Sequence, residues 1–454
     1  MVMASQPTAQ AAHKSAFDAI DPPDTELYLD CIHCGFCLPA CPTYRILGNE
    51  LDSPRGRIYL IRAVSEGKIG ISDSFVKHMQ LCLVCRACET ACPSGVQFGH
   101  LMESARGQVK RNYTYPPAER RLREFILYYF TDADRLTWLL RGLRLYQKSG
   151  LQALVRASGL LTLFGRLGEM EGLMPSIPDL SLRHALPEMT PAIGPKRGRV
   201  GLLAGCVQSV LFPGVNLATA RVLAENGYEV VAPKGQGCCG SLLIHEGERE
   251  RGQAFARKTI EIFERAEIDT VVVNAAGCGS AMKAYGDLLH GDPQYATRAA
   301  IFGKKVKDVS QVLAAAPING KLGSVPLKVT YHEPCHLVHG QRVRSEPRTL
   351  IRSIPDSQFI ELKESDVCCG SAGIYNLIHP AESREMLERK LDRIAESGAE
   401  VVVSGNPGCL IQLDVGMKRR GMKVRVAHPV ELLAWSYDAG AGEGGSKAMV
   451  RAVK

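Results

Sequence analysis

A multidomain chain of α+β/α/β class is predicted, with a small α-helical N-terminal domain followed by two duplicated α/β domains. Three observations predict it. The sixteen cysteines fall into two blocks of eight, Cys31–Cys92 and Cys206–Cys409, with no cysteine between residues 100 and 195. The second block contains an internal repeat. Apolar, strand-like runs alternate with helical stretches around each copy of that repeat, the pattern of parallel α/β units.

The N-terminal domain, expected over residues 25–112, is defined by chemistry before fold. Cys31, Cys34, Cys37 and Cys41 form C-x2-C-x2-C-x3-C followed by Pro42, and Cys82, Cys85, Cys88 and Cys92 repeat the pattern before Pro93. Each iron of a [4Fe–4S] cube needs one thiolate, and two-residue spacing lets a short loop wrap three thiolates around one cube. In two-cluster ferredoxins the fourth cysteine starts the next helix and serves the other cube. The expected ligands are therefore Cys31, Cys34, Cys37 and Cys92 for one cluster, and Cys82, Cys85, Cys88 and Cys41 for the other. Zinc knuckles use two distant CxxC pairs instead, so zinc is the weaker reading of these eight thiols. Between the ligands, Gly35, Phe36, Ala40, Val84, Ala87 and Ala91 are expected to exclude water. Arg86 would either raise the potential of the second cube or sit at the surface, and His33 is expected to be exposed. Ser53–Arg57 should turn into a helix over Ile58–Glu66, with Arg55 and Arg57 available for a partner or for structural ion pairs. Such a module relays single electrons and needs no substrate pocket.

Residues 113–195 are expected to form a helical linker. Leu122, Phe125, Ile126 and Tyr129 fall on one helical face, and a second run continues through Trp138, Leu139 and Leu145. Nine basic and three acidic residues lie between Arg120 and Arg166. A basic amphipathic stretch of this kind either rests on a membrane or partner, or packs on the protein with a solvated basic face.

Two α/β domains are expected over residues 196–320 and 321–440. Cys206, Cys238-Cys239 and Cys278 recur as Cys335, Cys368-Cys369 and Cys409 at offsets of 129, 130 and 131 residues. Each pair is followed by Gly-Ser, and Gly240 and Gly370 would let the backbone approach a metal. Strands are predicted at Arg199–Ala204, Thr270–Asn274, Leu327–Tyr331 and Glu400–Ser404. Charged helices are predicted at Glu246–Arg265 and Ala381–Ser397. Four thiolates per repeat suffice for one further [4Fe–4S] cluster or one zinc ion. His332, Glu333, His336 and His339 surround Cys335 and could bind a metal, line a quinone pocket, or simply pack; the first repeat has no equivalent set. His245 and Glu246 are expected to start a helix.

The bulk properties are ordinary for a globular chain of 454 residues with a net charge of +8. The polar N-terminus lacks the apolar core of a secretory signal, and no apolar run reaches membrane-spanning length. A cytoplasmic location is therefore expected, where sixteen cysteines argue for metal ligation over disulfides. No GxGxxG follows a strand-like run, and no basic patch interleaves with aromatics, so neither a dinucleotide nor nucleic acid is an expected partner.

The segments CIHCGFCLPACPTY (Cys31–Tyr44), CLVCRACETACPSGV (Cys82–Val96), CCGSLLIHEG (Cys238–Gly247), HEPCHLVHGQ (His332–Gln341) and CCGSAGIYNL (Cys368–Leu377) together resemble the iron–sulfur subunit family of glycolate oxidase (glycolate dehydrogenase). The likeness runs from about Leu27 to Trp435. It implies a twin-cluster module plus two CCG domains. It further implies partner subunits that carry FAD and oxidise glycolate to glyoxylate, with onward transfer to a respiratory acceptor such as quinone. A peripheral position on the cytoplasmic face of the inner membrane fits this role. Related chains serve L-lactate, glycerol-3-phosphate or heterodisulfide chemistry. Cys278 and Cys409 stand alone where the fullest CCG motif has CxxC, which argues against disulfide reduction.

Overall fold

Helix starts in the N-terminal region are set by side chains that accept from otherwise unpaired N–H groups. Asp24 caps α1 (Thr25–Leu29) through the Glu26 amide, Ser53 caps α3 (Pro54–Ser65) through Gly56, and Ser72 caps α4 (Asp73–Gln80) through Phe75. Between them α2 (Pro42–Leu47) begins on Cys41, with Pro42 in its first turn, and ends on Gly48 in the left-handed region. The short α5 (Ala87–Ala91) and the long α6 (Phe98–Asn112) complete the set. Ile61, Val64, Phe75, Met79, Leu101, Met102, Ala105 and Val109 form their common core. The computed structural model describes residues 14–442 except 160, 162–164, 166, 167, 169, 170 and 173. It divides into two units, one running to Val84 and including Cys88–Tyr115, the other comprising Cys85–Ala87 and the chain from Pro116 onward.

The second unit opens with α7 (Pro117–Phe130), α8 (Ala133–Lys148) and α9 (Leu151–Ala157). The buried face of α7 is Arg123, Ile126 and Leu127, while Phe125 points to solvent, so the expected apolar face is rotated. Trp138 and Leu145 on α8 are also exposed, at 67% and 70%. The helical reading of the residues omitted between 160 and 173 lies outside the described residues.

Two parallel sheets follow. The first contains β1 (Met189–Thr190), β2 (Gly198–Leu202), β3 (Tyr228–Val231), β4 (Thr270–Val273) and β5 (Val306–Asp308), in the order β1-β3-β2-β4-β5. Only β1 is antiparallel to its neighbour. Helices α10 (Pro213–Glu225), α11 (Arg249–Glu264) and α12 (Ala276–Lys283) connect them. The second contains β6 (Lys328–Tyr331), β7 (Gln358–Ile360), β8 (Val401–Val403) and β9 (Arg425–Ala427), in the order β7-β6-β8-β9 and all parallel. Its helices are α13 (Ser345–Arg352), α14 (Pro380–Ser397), α15 (Pro407–Arg419) and α16 (Pro429–Gly440). The order β3-β2-β4-β5 therefore repeats as β7-β6-β8-β9, the topological counterpart of the cysteine repeat. Parallel strands covered on both faces need apolar side chains on both, which the buried valines of β4 and β8 supply.

The two sheets share one core in which Val200, Leu202, Val222 and Leu223 meet Val329, Tyr331, Val401, Val403, Leu432 and Leu433. Polar ties cross the same seam: Ala276 N–H donates to Gly405 O (3.0 Å), and His428 Nε2 lies 2.9 Å from Asn274 O. His428 also caps α16, its Nδ1 accepting from the Val430 amide at 3.2 Å. Neutral imidazole satisfies both contacts, and burial pushes the His428 pKa down to about 4. The unfolded chain binds the proton near pH 6.5, so this contribution is present above that value and is lost as pH falls toward 4. The neighbouring Glu431, pushed up to about 7 by burial, acts oppositely, its contribution fading as pH rises from 4.5 to 7. H428Q is expected to cost about 1–3 kcal/mol at neutral pH, an upper range set by the shift itself. The difference from the parent should shrink steadily as urea melts are repeated from pH 7 to pH 4.5. A difference independent of pH would show that the ring's charge state is irrelevant to the seam.

Candidate metal centres

The two N-terminal motifs bend alike. His33 and Gly35 have φ of 55° and 87°, and Val84 and Arg86, at the same places in the second motif, have 52° and 63°. A β-branched valine in the left-handed region costs about 1 kcal/mol or more, so something must over-determine it. Alternating left-handed residues turn successive N–H groups toward one side, forming a concavity that suits an anionic centre. The Val84 N–H donates to Cys82 Sγ at 3.3 Å, the kind of contact that tunes cluster sulfur.

The eight thiols divide by environment. Cys31, Cys34, Cys37 and Cys92 all line one cavity, whose wall also includes Cys88, Ile58, Val96 and Phe98; Cys41 is not part of it. Cys34 is exposed, while Cys31, Cys37 and Cys92 are partly so. Cys41, Cys82, Cys85 and Cys88 are each buried. Burial pushes the Cys37 thiol up to about 11, helped by the nearby charges of Cys31 and Cys41, so its ionisation calls for a cation. That donor set fits an iron–sulfur cube.

Several expected details differ. Phe36, expected to exclude water, is 65% exposed and with Ile32, 69% exposed, forms an apolar rim beside Cys34. Cys41 begins a helix as expected, but Cys92 follows α5, and Cys88 lies inside that helix. His33 is exposed. Of the two arginines, Arg57 is wholly buried in a structural network, whereas Arg55 bonds Glu50 and donates to the His33 carbonyl at 3.2 Å. The network had no sequence signal beyond the arginine itself. It contains Asp52, Thr43 and His78, and it reaches Cys41, whose Sγ lies 3.2 Å from Thr43 Oγ1.

In each repeat four sulfurs converge. Cys238 is hydrogen-bonded to Cys206 and Cys239, and Cys239 to Cys278; Cys368 joins Cys335 and Cys369, and Cys369 joins Cys409, in the same order. Hydrogen bonds from Cys238 and Cys278 hold Cys239 well below the usual thiol range, and those from Cys368 and Cys409 do the same for Cys369. The topology explains the convergence. The first cysteine follows the central strand, the pair sits in a turn, and Cys278 and Cys409 lie in the first turns of α12 and α15, where their hydrogen bonds to Cys239 and Cys369, together with burial, push their own thiols well above the usual range. Gly240 and Gly370 have φ of 80° and 85°, and a Cβ on Gly370 would meet Ser383 O at 2.6 Å. These glycines admit the following helix, and their N–H groups donate to Cys238 and Cys368 Sγ at 3.3 and 3.4 Å.

Around Cys335 the histidines separate in role. A π-helical turn spans His336–Gly340; His339 is buried, and its Nε2 lies 3.1 Å from Asp366 O. Burial opposes charge on Glu333, but hydrogen bonds from Arg348 (2.8 Å) and Ser365 (2.7 Å) keep its carboxyl below the usual range. His245 ends a short helix, Ser241–His245, and Glu246 caps it while pairing with Arg123, so neither starts a helix. No helix among the described residues is long and apolar enough to cross a membrane.

Comparison with known proteins agrees with this layout. The family described as 4Fe-4S dicluster domain matches residues 28–96, that described as glycolate oxidase iron-sulfur subunit, linker region, matches 118–174, and the cysteine-rich domain matches twice, at 200–283 and 329–414. A probable glycolate oxidase iron-sulfur subunit of Bacillus subtilis is 40% identical over 89% of this chain and 93% of its own length. The glycolate oxidase iron-sulfur subunit of Escherichia coli is 34% identical over 84% and 89%. A fumarate reductase (CoM/CoB) subunit from Methanothermobacter marburgensis is 26% identical over 91% and 73%.

Proposed function

The chain belongs to the glycolate oxidase iron–sulfur subunit family, and from that premise we propose that its electrons come from glycolate. It is an electron-transfer subunit carrying two [4Fe–4S] clusters. The substrate, in this reading, is oxidised to glyoxylate on separate FAD-containing subunits, and the electrons pass through this chain to quinone at the cytoplasmic face of the inner membrane. The observation that carries the substrate assignment is the match of residues 118–174 to the family described as glycolate oxidase iron-sulfur subunit, linker region. Cys31, Cys34, Cys37 and Cys92 would hold one cluster; Cys82, Cys85, Cys88 and Cys41 the other. Each cluster supplies one-electron redox chemistry when bound. This chain's residues then do three things: they provide thiolates, withhold water from the buried set, and leave one set open. The opening at Cys34, rimmed by Ile32 and Phe36, suits short-lived docking of a redox partner. Exposed Phe125, Tyr128, Trp138, Leu145 and Leu154, among the basic residues of α7–α9, suit an anionic lipid surface.

Purification of the native complex tests the assignment. About eight irons are expected in this chain, with FAD confined to other polypeptides and dye reduction dependent on glycolate. Flavin bound to this chain, or turnover with L-lactate but not glycolate, would overturn it. A second expected result is that F36E lowers electron transfer from the flavin subunits several-fold while iron content stays unchanged. Unaltered transfer in F36E would remove the Cys34 rim as the docking point.

A further inference from the structure

His332, Cys369 and Cys409 place their ligand atoms within 4.8 Å of one another, all three residues buried. Among the described residues this is the one group of three or more metal-binding side chains so closely gathered. His332 is 1% exposed, its ring is hydrogen-bonded to Cys369, and its nitrogens have no further partner among the described residues. A buried imidazole left in that state is costly unless something else takes its lone pair. We propose that the second repeat holds a single divalent metal of the zinc class, ligated by His332, Cys369 and Cys409. This goes beyond the electron-carrying role and concerns a site that relays no electron.

The separation favours one ion over a cube. Ligands about 2.0–2.3 Å from a tetrahedral ion lie roughly 3.5–3.8 Å apart, a spacing this group can reach with small adjustments. The thiolates of a cube each attach to a different iron and so stand further apart. Imidazole beside thiolate is a donor set for zinc. The surroundings complete a second layer. Asn406 Nδ2 donates to Cys409 Sγ at 3.4 Å, and the Gly370 N–H to Cys368 Sγ at 3.4 Å. Lys390, 2% exposed, packs beside this site and donates its ammonium to the carbonyls of Glu364 and Ser365.

The first repeat is built differently at these places. The counterpart of His332, at the offset of Cys335 from Cys206, is Leu203, which is buried in an apolar cluster. The counterpart of Lys390, at the offset of the cysteine pair, is Ile260 in the same cluster. The two halves share a fold and a cysteine pattern, yet at these two positions the second has a nitrogen donor and a buried lysine where the first has apolar side chains.

The full chain, produced anaerobically in cobalt-supplemented, zinc-depleted medium, tests this, because cobalt reports its ligands by absorption whereas zinc is silent. One cobalt per chain with a sulfur-to-cobalt charge-transfer band is expected, in addition to the iron of the N-terminal motifs. His332→Leu, which copies the first repeat, should weaken cobalt binding ~100-fold or more, since even outer-layer changes cost 10–100-fold. Cys206→Ser should leave it unchanged. His332→Cys should recover the metal with a stronger charge-transfer band, which separates lost ligation from lost folding. Paramagnetic signals of the N-terminal clusters serve as the folding control. Unchanged binding in His332→Leu, no recovery in His332→Cys, or iron filling this repeat independently of His332 would each overturn the proposal.

Discussion

The double variant C31A/C41A is expected to lose essentially all N-terminal iron, whereas C31A/C92A should keep about four of about eight atoms. The contrast follows from crossed ligation. If each motif fed its own cube, C31A/C41A would empty one site only and C31A/C92A would empty both. Two features favour crossing. Cys92 shares a cavity with Cys31, Cys34 and Cys37, while Cys41 is absent from that lining. Exposure also sorts the eight thiols into one open and one buried set along the crossed partition. Either double variant should abolish glycolate-dependent dye reduction through this chain, because a one-electron relay fails when one member is missing. Iron and acid-labile sulfide analysis decides between the pairings without reference to activity. Retention of about four irons in C31A/C41A would establish ligation within each motif.

How far such details were legible in the sequence depended on length and on partners. The central strands β2, β4, β6 and β8 were visible as runs of valine and leucine, because strands buried on both faces must be apolar throughout. Their flanking strands were not. Arg425–Ala427 and Gln358–Ile360 have three residues each and no usable period, and they exist because their backbones pair in register with a central strand. Cysteine spacing revealed the duplication and the ligand types, since metal chemistry constrains spacing more tightly than packing does. It was blind to orientation. Phe36 reads as a core residue by type, yet faces solvent because its left-handed neighbour Gly35 turns the loop outward. His332 was one of three histidines near Cys335 and carried no mark that set it apart. Only the fold shows that β6 delivers it beside Cys369 and Cys409, while His339 is occupied by a carbonyl.

Arg57 was equally ambiguous in sequence, and its replacement should be the most damaging single change in the N-terminal unit outside the ligands. Its guanidinium is fully buried and donates to the His78 carbonyl at 2.7 Å, to Thr43 Oγ1 at 3.1 Å and to the Asp52 carbonyl, with the Asp52 carboxylate 3.4 Å away. Removing one member of a buried ion pair leaves the other charge uncompensated, at a cost of about 3–5 kcal/mol. His78 Nδ1, 2.8 Å from the Asp52 carboxylate, limits the loss without replacing the two lost backbone contacts. R57K should recover little, because a single ammonium cannot span acceptors that a planar fork reaches together. The damage should also spread to metal retention. Asp52 O and Thr43 Oγ1 are the polar neighbours of Cys41 Sγ, at 3.7 and 3.2 Å, so loosening the network frees that thiol. In R57A the cluster assigned to Cys82, Cys85, Cys88 and Cys41 should therefore bleach in urea well before the one at Cys31, Cys34, Cys37 and Cys92. Simultaneous loss of both signals, at the same denaturant concentration as in the parent chain, would show that Arg57 supports neither the fold nor that ligand.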